Sequence, residues 1–195
     1  MSLPGQKTKS DYLEWGKAQS LILKLERDGD RNFALLISIG IYTGLRISDI
    51  LTLRWVDIIG KEFIEITEKK TKKFRKIKIN PQLSEIINRS IVAGKITKHD
   101  GLIFFNRFGT NAISVQWVNR ALKEIAIKYS LGKDLDSFTS HSLRKSFGRR
   151  VFENNDNSER SLILLSEMFN HSNIKTTKVY LGIRDKEIYD VYDNL

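Results

Sequence analysis

The sequence predicts a mostly α-helical domain of the α+β class with one small β-sheet. Long segments carry apolar residues at helical spacing, and one region, Phe63 to Ile79, alternates apolar and polar residues as strands do. The chain has 195 residues, of which 41% are hydrophobic, and this suits one domain with a proper core. We expect residues 1–10 to be a flexible polar segment and residues 11–195 to be a single domain.

Two helices and a short third one open the predicted domain. Tyr12 to Glu26 and Phe33 to Ile41 both have helical spacing, and an acidic, glycine-containing break separates them. Arg46 then opens a short helix whose apolar residues face the core. Helical geometry leaves Arg46 and Asp49 together on a different face.

The alternating region predicts a β-hairpin with a strongly basic tip. Seven of the ten residues from Lys69 to Lys78 are basic, so charge projects from the turn between the two strands. The whole chain has 33 Lys plus Arg against 23 Asp plus Glu, a net charge of +10. This balance favours a polyanionic partner, with nucleic acid first among the candidates.

The remaining helices are predicted from polar residues that can cap their first turns. They begin after Asn80, Ser114, Thr139 or Ser140, Ser158, and Thr176 or Thr177. The helix that follows Asn80 opens with Pro81 and stops near Gly94.

Composition excludes several classes of site. The chain has no cysteine, so it has no disulfide, thiol nucleophile or thiolate metal ligand, which is compatible with a reducing cytoplasm. No apolar run approaches membrane-spanning length, and no signal peptide opens the chain. We expect neither a metal nor a membrane partner.

The stretch NHSNIKTTKVY places His171 and Tyr180 nine residues apart. One unbroken helix would point them to opposite sides, because each residue turns the helix by about 100°. Ser172-Asn173 suits a turn, so the segment can fold back and bring His171 toward Tyr180.

A second candidate pair, His141 and Arg144, is spaced to share one helix face. Taken alone, such a pair is more often a helix-start residue and a solvated charge. Likewise, Arg46 beside Asp49 suits a surface ion pair that contributes little stability.

Together, two Arg, two His, one hairpin Lys and one Tyr are the groups needed to break a phosphodiester without metal. Paired guanidinium groups bind non-bridging phosphate oxygens, and a lysine can protonate the leaving oxygen. A tyrosine nucleophile, with its ordinary pKa of about 10, needs a nearby base and an electropositive setting.

Three segments in this order, TGLRISDILTLRW, HSLRKSFGRR and MFNHSNIKTTKVY, resemble the catalytic domain of the tyrosine recombinase (phage integrase) family. The resemblance covers roughly Tyr12 to Tyr192. It implies that Arg46 and Arg144 bind the scissile phosphate and that Tyr180 is the nucleophile.

The resemblance also assigns the remaining site residues. It implies proton transfer for His141, a phosphate hydrogen bond for His171, and a supporting carboxylate for Asp49. Lys70 takes the hairpin lysine position because Thr71 follows it, although other lysines crowd the same turn.

The chain departs from the family pattern at two positions. Asn170 stands where Gly is usual before the second histidine, and Asn also tolerates a positive φ. Lys145 stands where His is frequent, which adds charge without removing any of the six catalytic roles.

The implied activity is site-specific cutting and rejoining of double-stranded DNA through a 3′-phosphotyrosyl bond, without ATP, metal or other cofactor. We expect DNA-backbone contacts from further basic side chains: Lys69, Lys72, Lys73, Arg75, Lys145, Lys175 and Lys178.

Family members usually place a helical DNA-binding domain before this one, so the resemblance implies a fragment that is monomeric alone and tetrameric on DNA. It further implies that Glu187 to Leu195 docks on a neighbouring protomer, and that the protein is cytoplasmic and nucleoid-associated.

Two alternatives stay open from the residues themselves. LSEMFNHSNIKTTKVYL also resembles a helix-turn-helix, which would bind DNA without a catalytic tyrosine and would leave Arg46 and His141 unexplained. A type IB topoisomerase would share the chemistry but would relax supercoiled DNA without a partner site.

Overall fold

The structure is a computed structural model that describes residues 11–94, 96, 99–131, 137–183, 192–193 and 195. The predicted N-terminal segment lies outside these residues, as does most of the predicted docking segment Glu187 to Leu195. The helices, in chain order, are α1 (Trp15–Arg27), α2 (Arg31–Thr43), α3 (Ile47–Ile50), α4 (Pro81–Gly94), α5 (Val115–Lys128), α6 (Ser140–Glu153), α7 (Glu159–Phe169) and α8 (Ile174–Leu181). The strands are β1 (Phe63–Thr67) and β2 (Phe74–Lys78).

The two strands form an antiparallel hairpin, and the predicted fold class is confirmed. Ile64 pairs with Ile77, and Ile66 pairs with Arg75. Because side chains alternate between the two faces of a sheet, these four residues share one face. The register therefore turns Arg75 toward the same side as the apolar residues of β1.

Side-chain caps begin several helices where the sequence predicts them. The Asn80 side chain accepts the Leu83 backbone N–H at 2.8 Å, and the Ser114 side chain accepts that of Trp117 at 3.1 Å. Each bond satisfies a backbone donor that the first helical turn leaves unpaired. Helix α1, in contrast, begins three residues later than predicted.

The predicted N-cap of α8 is wrong. The cap is Asn173, whose Oδ1 accepts the Thr176 backbone N–H at 2.9 Å, and the helix begins at Ile174. Asparagine is a stronger N-cap than threonine, so the helix takes the earlier start. As a consequence, Thr177 lies inside α8, one turn before Tyr180.

The buried apolar residues form two clusters that meet at helix α6, and we call their boundary the seam. The larger cluster draws on α1 to α5 and includes Leu143 of α6. The smaller cluster contains residues from α6, α7, α8 and the turn after it: Phe152, Leu162, Leu165, Phe169, Leu181 and Ile183. Helix α6 thus contributes side chains to both clusters.

Two glycines allow α6 to pack closely on either side of the seam. A Cβ atom added to Gly40 of α2 would lie 2.9 Å from the Cβ of Leu143. A Cβ added to Gly148 would lie 2.6 Å from Leu181 and 3.1 Å from the Phe169 ring. Such distances are too short for carbon atoms in contact, so a larger residue at either position would push the helices apart.

Among the described residues, none of the helices is long and apolar enough to cross a membrane.

Candidate active site

Two arginines, distant in the chain, converge on one main-chain carbonyl at the seam. Arg46 Nη2 donates to the Phe169 carbonyl oxygen at 3.0 Å, and Arg144 Nη2 donates to the same oxygen at 3.2 Å. Arg144 Nη1 donates to the carbonyl of Gly44, which ends α2 in a left-handed conformation. The predicted pairing of Arg46 with Arg144 is thus present in the fold, and we call these two residues the arginine clamp.

Arg144 is buried, with 4% of its surface exposed, and its guanidinium lies 4.2 Å from the centroid of the Phe169 ring. Burial lowers its pKa to about 10, so the side chain stays charged at neutral pH. A guanidinium carries five N–H groups. The two bonds that position Arg144 therefore leave other donors that can bind a phosphate.

Glu68, which sequence reasoning missed, is the carboxylate partner of Arg46. It is 1% exposed, and its Oε2 accepts from Arg46 Nη1 at 2.7 Å and from Thr71 Oγ1 at 2.6 Å. Its Oε1 accepts from Arg75 Nη1 at 3.1 Å. Burial alone would raise the pKa of Glu68, but the bonds from Thr71, Arg75 and Arg46 outweigh it and lower that pKa.

The signal that could have found Glu68 is the two-residue period of β1. Ile64 and Ile66 lie on the buried face of the hairpin, and the same alternation puts Glu68 next on that face. An acidic residue in that position requires cationic partners, because a buried charge without them is strongly destabilising.

Asp49 is buried, and the surface ion pair considered for it with Arg46 is wrong. Its Oδ1 accepts the backbone N–H of Lys69 at 2.9 Å, so its carboxylate faces the hairpin turn. Its Oδ2 is buried without a hydrogen-bond partner among the described residues. The ion pair of Arg46 is made with Glu68 instead, because Glu68 extends from the strand toward the clamp.

The chain folds back after α7, as predicted, and places His171 beside Tyr180. Their ring centroids are 5.4 Å apart in an edge-to-face arrangement. Asn170 ends α7 with φ of 52°, which confirms that asparagine serves in the position where the family usually has glycine. The Tyr180 hydroxyl is 3.4 Å from the His141 carbonyl oxygen.

Burial raises the pKa of Tyr180 to about 12, while the charges of Arg144 and Arg46 oppose that rise. The phenol is therefore protonated at neutral pH, and a reaction through its oxygen requires a group to accept the proton. The ring is half-buried rather than enclosed, with one edge against the Phe169 ring at 5.5 Å. It lies at the surface of the seam, within reach of a bound molecule.

His171 Nδ1 lies 2.9 Å from the hydroxyl of Thr177, which is fully buried. Burial and the charges of Arg144, Arg46 and Lys70 lower the pKa of His171 to about 4, so its ring is neutral at pH 7. Among the described residues, the Thr177 hydroxyl has no other hydrogen-bond partner than this ring. We infer that the hydroxyl donates to Nδ1, because its proton would otherwise have no acceptor among the described residues, and this leaves the single ring N–H on Nε2.

His141 and Lys70 border the same site. Lys70 is exposed on the hairpin turn. His141 is exposed at the start of α6. The protein around its ring lowers its pKa by excluding water, and the positive charges of Arg144, Lys145, Lys70 and Arg46 lower it further. A charge shifts a pKa only when it lies near the titrating group. Arg46, Arg144 and Lys70 therefore lie near the rings of His141 and His171. The Tyr180 ring packs against that of His171, so all six predicted catalytic residues lie in one region.

The other predicted DNA contacts occupy different environments. Lys69, Lys72, Lys73 and Lys175 are exposed, and Lys178 is half-buried. Lys73 Nζ donates to Asn170 Oδ1 and so joins the hairpin turn to the end of α7. Lys145 Nζ lies 5.5 Å from the centroid of the Tyr180 ring. Arg75 faces Glu68 inside the site, because the strand register turns it inward.

No group of three or more His, Asp or Glu side chains that could hold a metal ion occurs among the described residues. The cationic groups of the clamp and the hairpin are instead suited to an anionic ligand such as a phosphate.

A sequence model described as the phage integrase family matches residues 16–187. The chain belongs to the phage integrase family of tyrosine recombinases. The probable integrase/recombinase YoeC of Bacillus subtilis (strain 168) is 31% identical over 182 residues, which cover 92% of this chain and 94% of YoeC. Tyrosine recombinase XerD of Lacticaseibacillus casei is 30% identical over 155 residues, which cover 77% of this chain and 50% of XerD. The chain therefore spans about half the length of that XerD.

Solved structures of recombinases share the fold of this phage integrase family member. The XerA recombinase superposes with a TM-score of 0.71 at 18% identity, over 94% of this chain and 64% of XerA. A post-cleavage complex of the XerH site-specific recombinase with a palindromic difH substrate gives 0.68 at 18%, over 94% and 52%. The catalytic domain of bacteriophage HP1 integrase gives 0.57 at 20%, over 88% and 87%.

Proposed function

We propose that this chain is the catalytic domain of a site-specific recombinase that cuts and rejoins double-stranded DNA through a covalent bond between Tyr180 and a 3′ phosphate. The observation that supports this most is the convergence of Arg46 and Arg144 on the Phe169 carbonyl, two residues before His171. A phosphate bound by both guanidiniums would lie beside the Tyr180 phenol.

In the proposed cleavage step, the Tyr180 oxygen forms a bond to phosphorus and the bond from phosphorus to the 5′ oxygen breaks. His141, whose depressed pKa keeps it neutral, accepts the phenol proton. The Lys70 ammonium gives a proton to the leaving 5′ oxygen. Rejoining reverses these transfers when a 5′ hydroxyl attacks the phosphotyrosine, so the bond energy is conserved and no ATP is consumed.

The clamp and His171 stabilise the charge that builds on the phosphate oxygens during this step. The two guanidiniums are held by protein carbonyls and Glu68 before the substrate arrives, so little reorganisation remains for the reaction itself. The Nε2–H of His171 adds a neutral donor. Asp49 supports the hairpin turn beside Lys70 through the Lys69 backbone N–H.

Exposed lysines of the hairpin and of α8 bind the DNA backbone in this proposal. Such contacts release counterions, so affinity falls steeply as the salt concentration rises. The chain is monomeric by itself and assembles as a tetramer on two DNA duplexes. Sedimentation that shows a stable tetramer without DNA would contradict this part of the proposal.

Covalent capture on nicked DNA tests the proposed activity. A library of nicked duplexes with a randomised core is incubated with the whole chain, and protein–DNA adducts that survive denaturant are sequenced. We expect wild type to enrich a core sequence and Tyr180→Phe to form no adduct. An adduct of equal yield in Tyr180→Phe would rule out this nucleophile, and equal yields in Arg46→Ala or Arg144→Ala would rule out the clamp.

A relaxation assay separates the recombinase from a type IB topoisomerase. Supercoiled plasmid without the enriched sequence should remain supercoiled in the presence of the chain. Relaxation of such a plasmid would instead favour the topoisomerase, because that enzyme needs no partner site.

A further inference from the structure

The hairpin turn that carries Lys70 is closed by its own backbone. The Glu68 N–H donates to the Lys73 carbonyl at 2.9 Å, and the Lys72 N–H donates to the Glu68 carbonyl at 2.9 Å. Lys72 adopts φ of 58°, in the left-handed region, which allows the chain to reverse there. The backbone around Lys70 is therefore defined even though the Lys70 side chain is exposed.

Both chain neighbours of Lys70 are attached to buried carboxylates. The Lys69 N–H donates to Asp49 Oδ1 at 2.9 Å, and the Thr71 hydroxyl donates to Glu68 Oε2 at 2.6 Å. Each of the two carboxylates is 1% exposed. Anchors on either side of one residue restrict where its side chain can begin.

The Glu68 oxygen that accepts from Thr71 also accepts from the clamp. Arg46 Nη1 donates to Oε2 at 2.7 Å, so Thr71 and Arg46 bind the same atom. The position of the turn is therefore tied to the position of a guanidinium in the site, rather than to the strands alone.

We propose that Thr71 is a positioning residue, whose hydroxyl, through Glu68, holds Lys70 at the phosphate bound by the arginine clamp. This inference rests on the proposed function, in which Lys70 protonates the leaving oxygen. A lysine has a long flexible side chain, so its effective concentration at one atom depends on where its backbone is fixed. Thr71 thus acts on proton donation without touching the substrate.

Replacing the leaving oxygen isolates this role from general stability. A 5′-bridging sulfur leaves as a thiolate, and thiols are far more acidic than alcohols, so that leaving group needs no proton donor. A defect in proton donation disappears with the sulfur substrate. A defect in folding, DNA binding or the clamp remains with both substrates.

The test compares single-turnover cleavage of the captured core sequence in its oxygen and sulfur forms. Thr71→Val, which replaces the hydroxyl with a methyl group, should be slower by about 10- to 100-fold on oxygen and close to wild type on sulfur, as expected for misplaced proton donation. Thr71→Ser keeps a hydroxyl and should restore the oxygen rate. Thr67→Val is the matched control: Thr67 is exposed on β1, so the substitution makes the same chemical change outside the site.

Each other outcome overturns the inference in a recognisable way. Equal slowing of Thr71→Val on both substrates would show that Thr71 has a structural role only. A wild-type rate of Thr71→Val on the oxygen substrate would show that its hydroxyl has no role in cleavage. Lys70→Ala serves as the reference and should be rescued by sulfur. If Lys70→Ala is slow on both the oxygen and the sulfur substrate, Lys70 is not the proton donor, and the inference fails with that assignment. If the sulfur substrate restores the rate of Lys70→Ala but not that of Thr71→Val, the proposed function stands and the inference is wrong.

Discussion

We expect a conservative change at the buried guanidinium of Arg144 to cause a large loss of cleavage activity. Arg144→Lys keeps the positive charge and removes the planar fork. In the fold that fork reaches two carbonyls, those of Gly44 and Phe169, and lies 4.2 Å from the Phe169 ring centroid. A single ammonium cannot reproduce this arrangement, because it lacks two donors in one rigid plane.

The magnitude follows from the bonds that are lost. A hydrogen bond to a charged group contributes about 1.5–3 kcal/mol, so losing one of the two carbonyl bonds should lower the free energy of unfolding by about that amount. Losing a preorganised donor to the reacting phosphate costs about 2.7–4 kcal/mol of transition-state stabilisation, or roughly 100- to 1000-fold in rate. Urea denaturation measures the first quantity, and single-turnover cleavage of a nicked duplex measures the second.

Arg150→Lys is the matched control for Arg144→Lys. Arg150 lies on the same helix and packs its guanidinium 5.2 Å from the Trp15 ring centroid, away from the clamp. We expect its cleavage rate to match wild type. The reasoning is refuted if Arg144→Lys cleaves as fast as Arg150→Lys while remaining folded, since the fork would then have no catalytic part.

Three further substitutions, two of them with a control variant, test the packing, the tautomer and the pH response. Gly40→Ala should lower the free energy of unfolding by about 1–3 kcal/mol, because the added Cβ would lie 2.9 Å from Leu143 Cβ. Gly16→Ala has open space around the added Cβ and should raise the free energy of unfolding by about 0.5–1 kcal/mol. Equal urea midpoints for the two variants would contradict this expectation. Thr177→Val should slow cleavage about 10-fold, the equivalent of one hydrogen bond of about 1.4 kcal/mol, and Thr177→Ser should not; equal rates would remove the tautomer from the mechanism. The pKa of His171 is about 4 in the folded chain against an ordinary 6.5, so as pH falls the unfolded chain binds this proton before the folded chain does. The contribution of neutral His171 to the free energy of unfolding is therefore complete above pH 6.5 and is lost as pH falls toward 4. His171→Asn should lose less free energy of unfolding over this pH range, as measured by urea denaturation, and equal losses in the two proteins would refute the pKa shift.

Periodicity predicted the helices and the hairpin because it reports which face of an element is buried. Ile64, Ile66 and Ile77 alternate with polar residues, and they form the predicted antiparallel pair. The start of α8 was predicted wrongly because both Asn173 and the threonines can cap a helix. The stronger capping propensity of asparagine decides for the earlier start.

The candidate site was predicted as a set of residues, but its internal contacts were not. Arg46 was expected beside Asp49, three residues away, and its ion pair is with Glu68 on the hairpin. A helical period relates residues within one helix, and it carries no information on how a strand from elsewhere packs against it. Glu68 itself was overlooked, although its place in the strand alternation indicated burial.

The seam between the two apolar clusters has a consequence for how activity is lost on heating. Arg46 and Lys70 come from the side of the larger cluster, while His171 and Tyr180 come from the smaller one. Because α6 contributes to both clusters, a slight shift of α7 and α8 against α6 would leave the larger cluster intact and yet move the Tyr180 phenol away from a phosphate bound by the arginine clamp. Inactivation is therefore expected at a lower temperature than the melting of the larger cluster, with recovery on cooling.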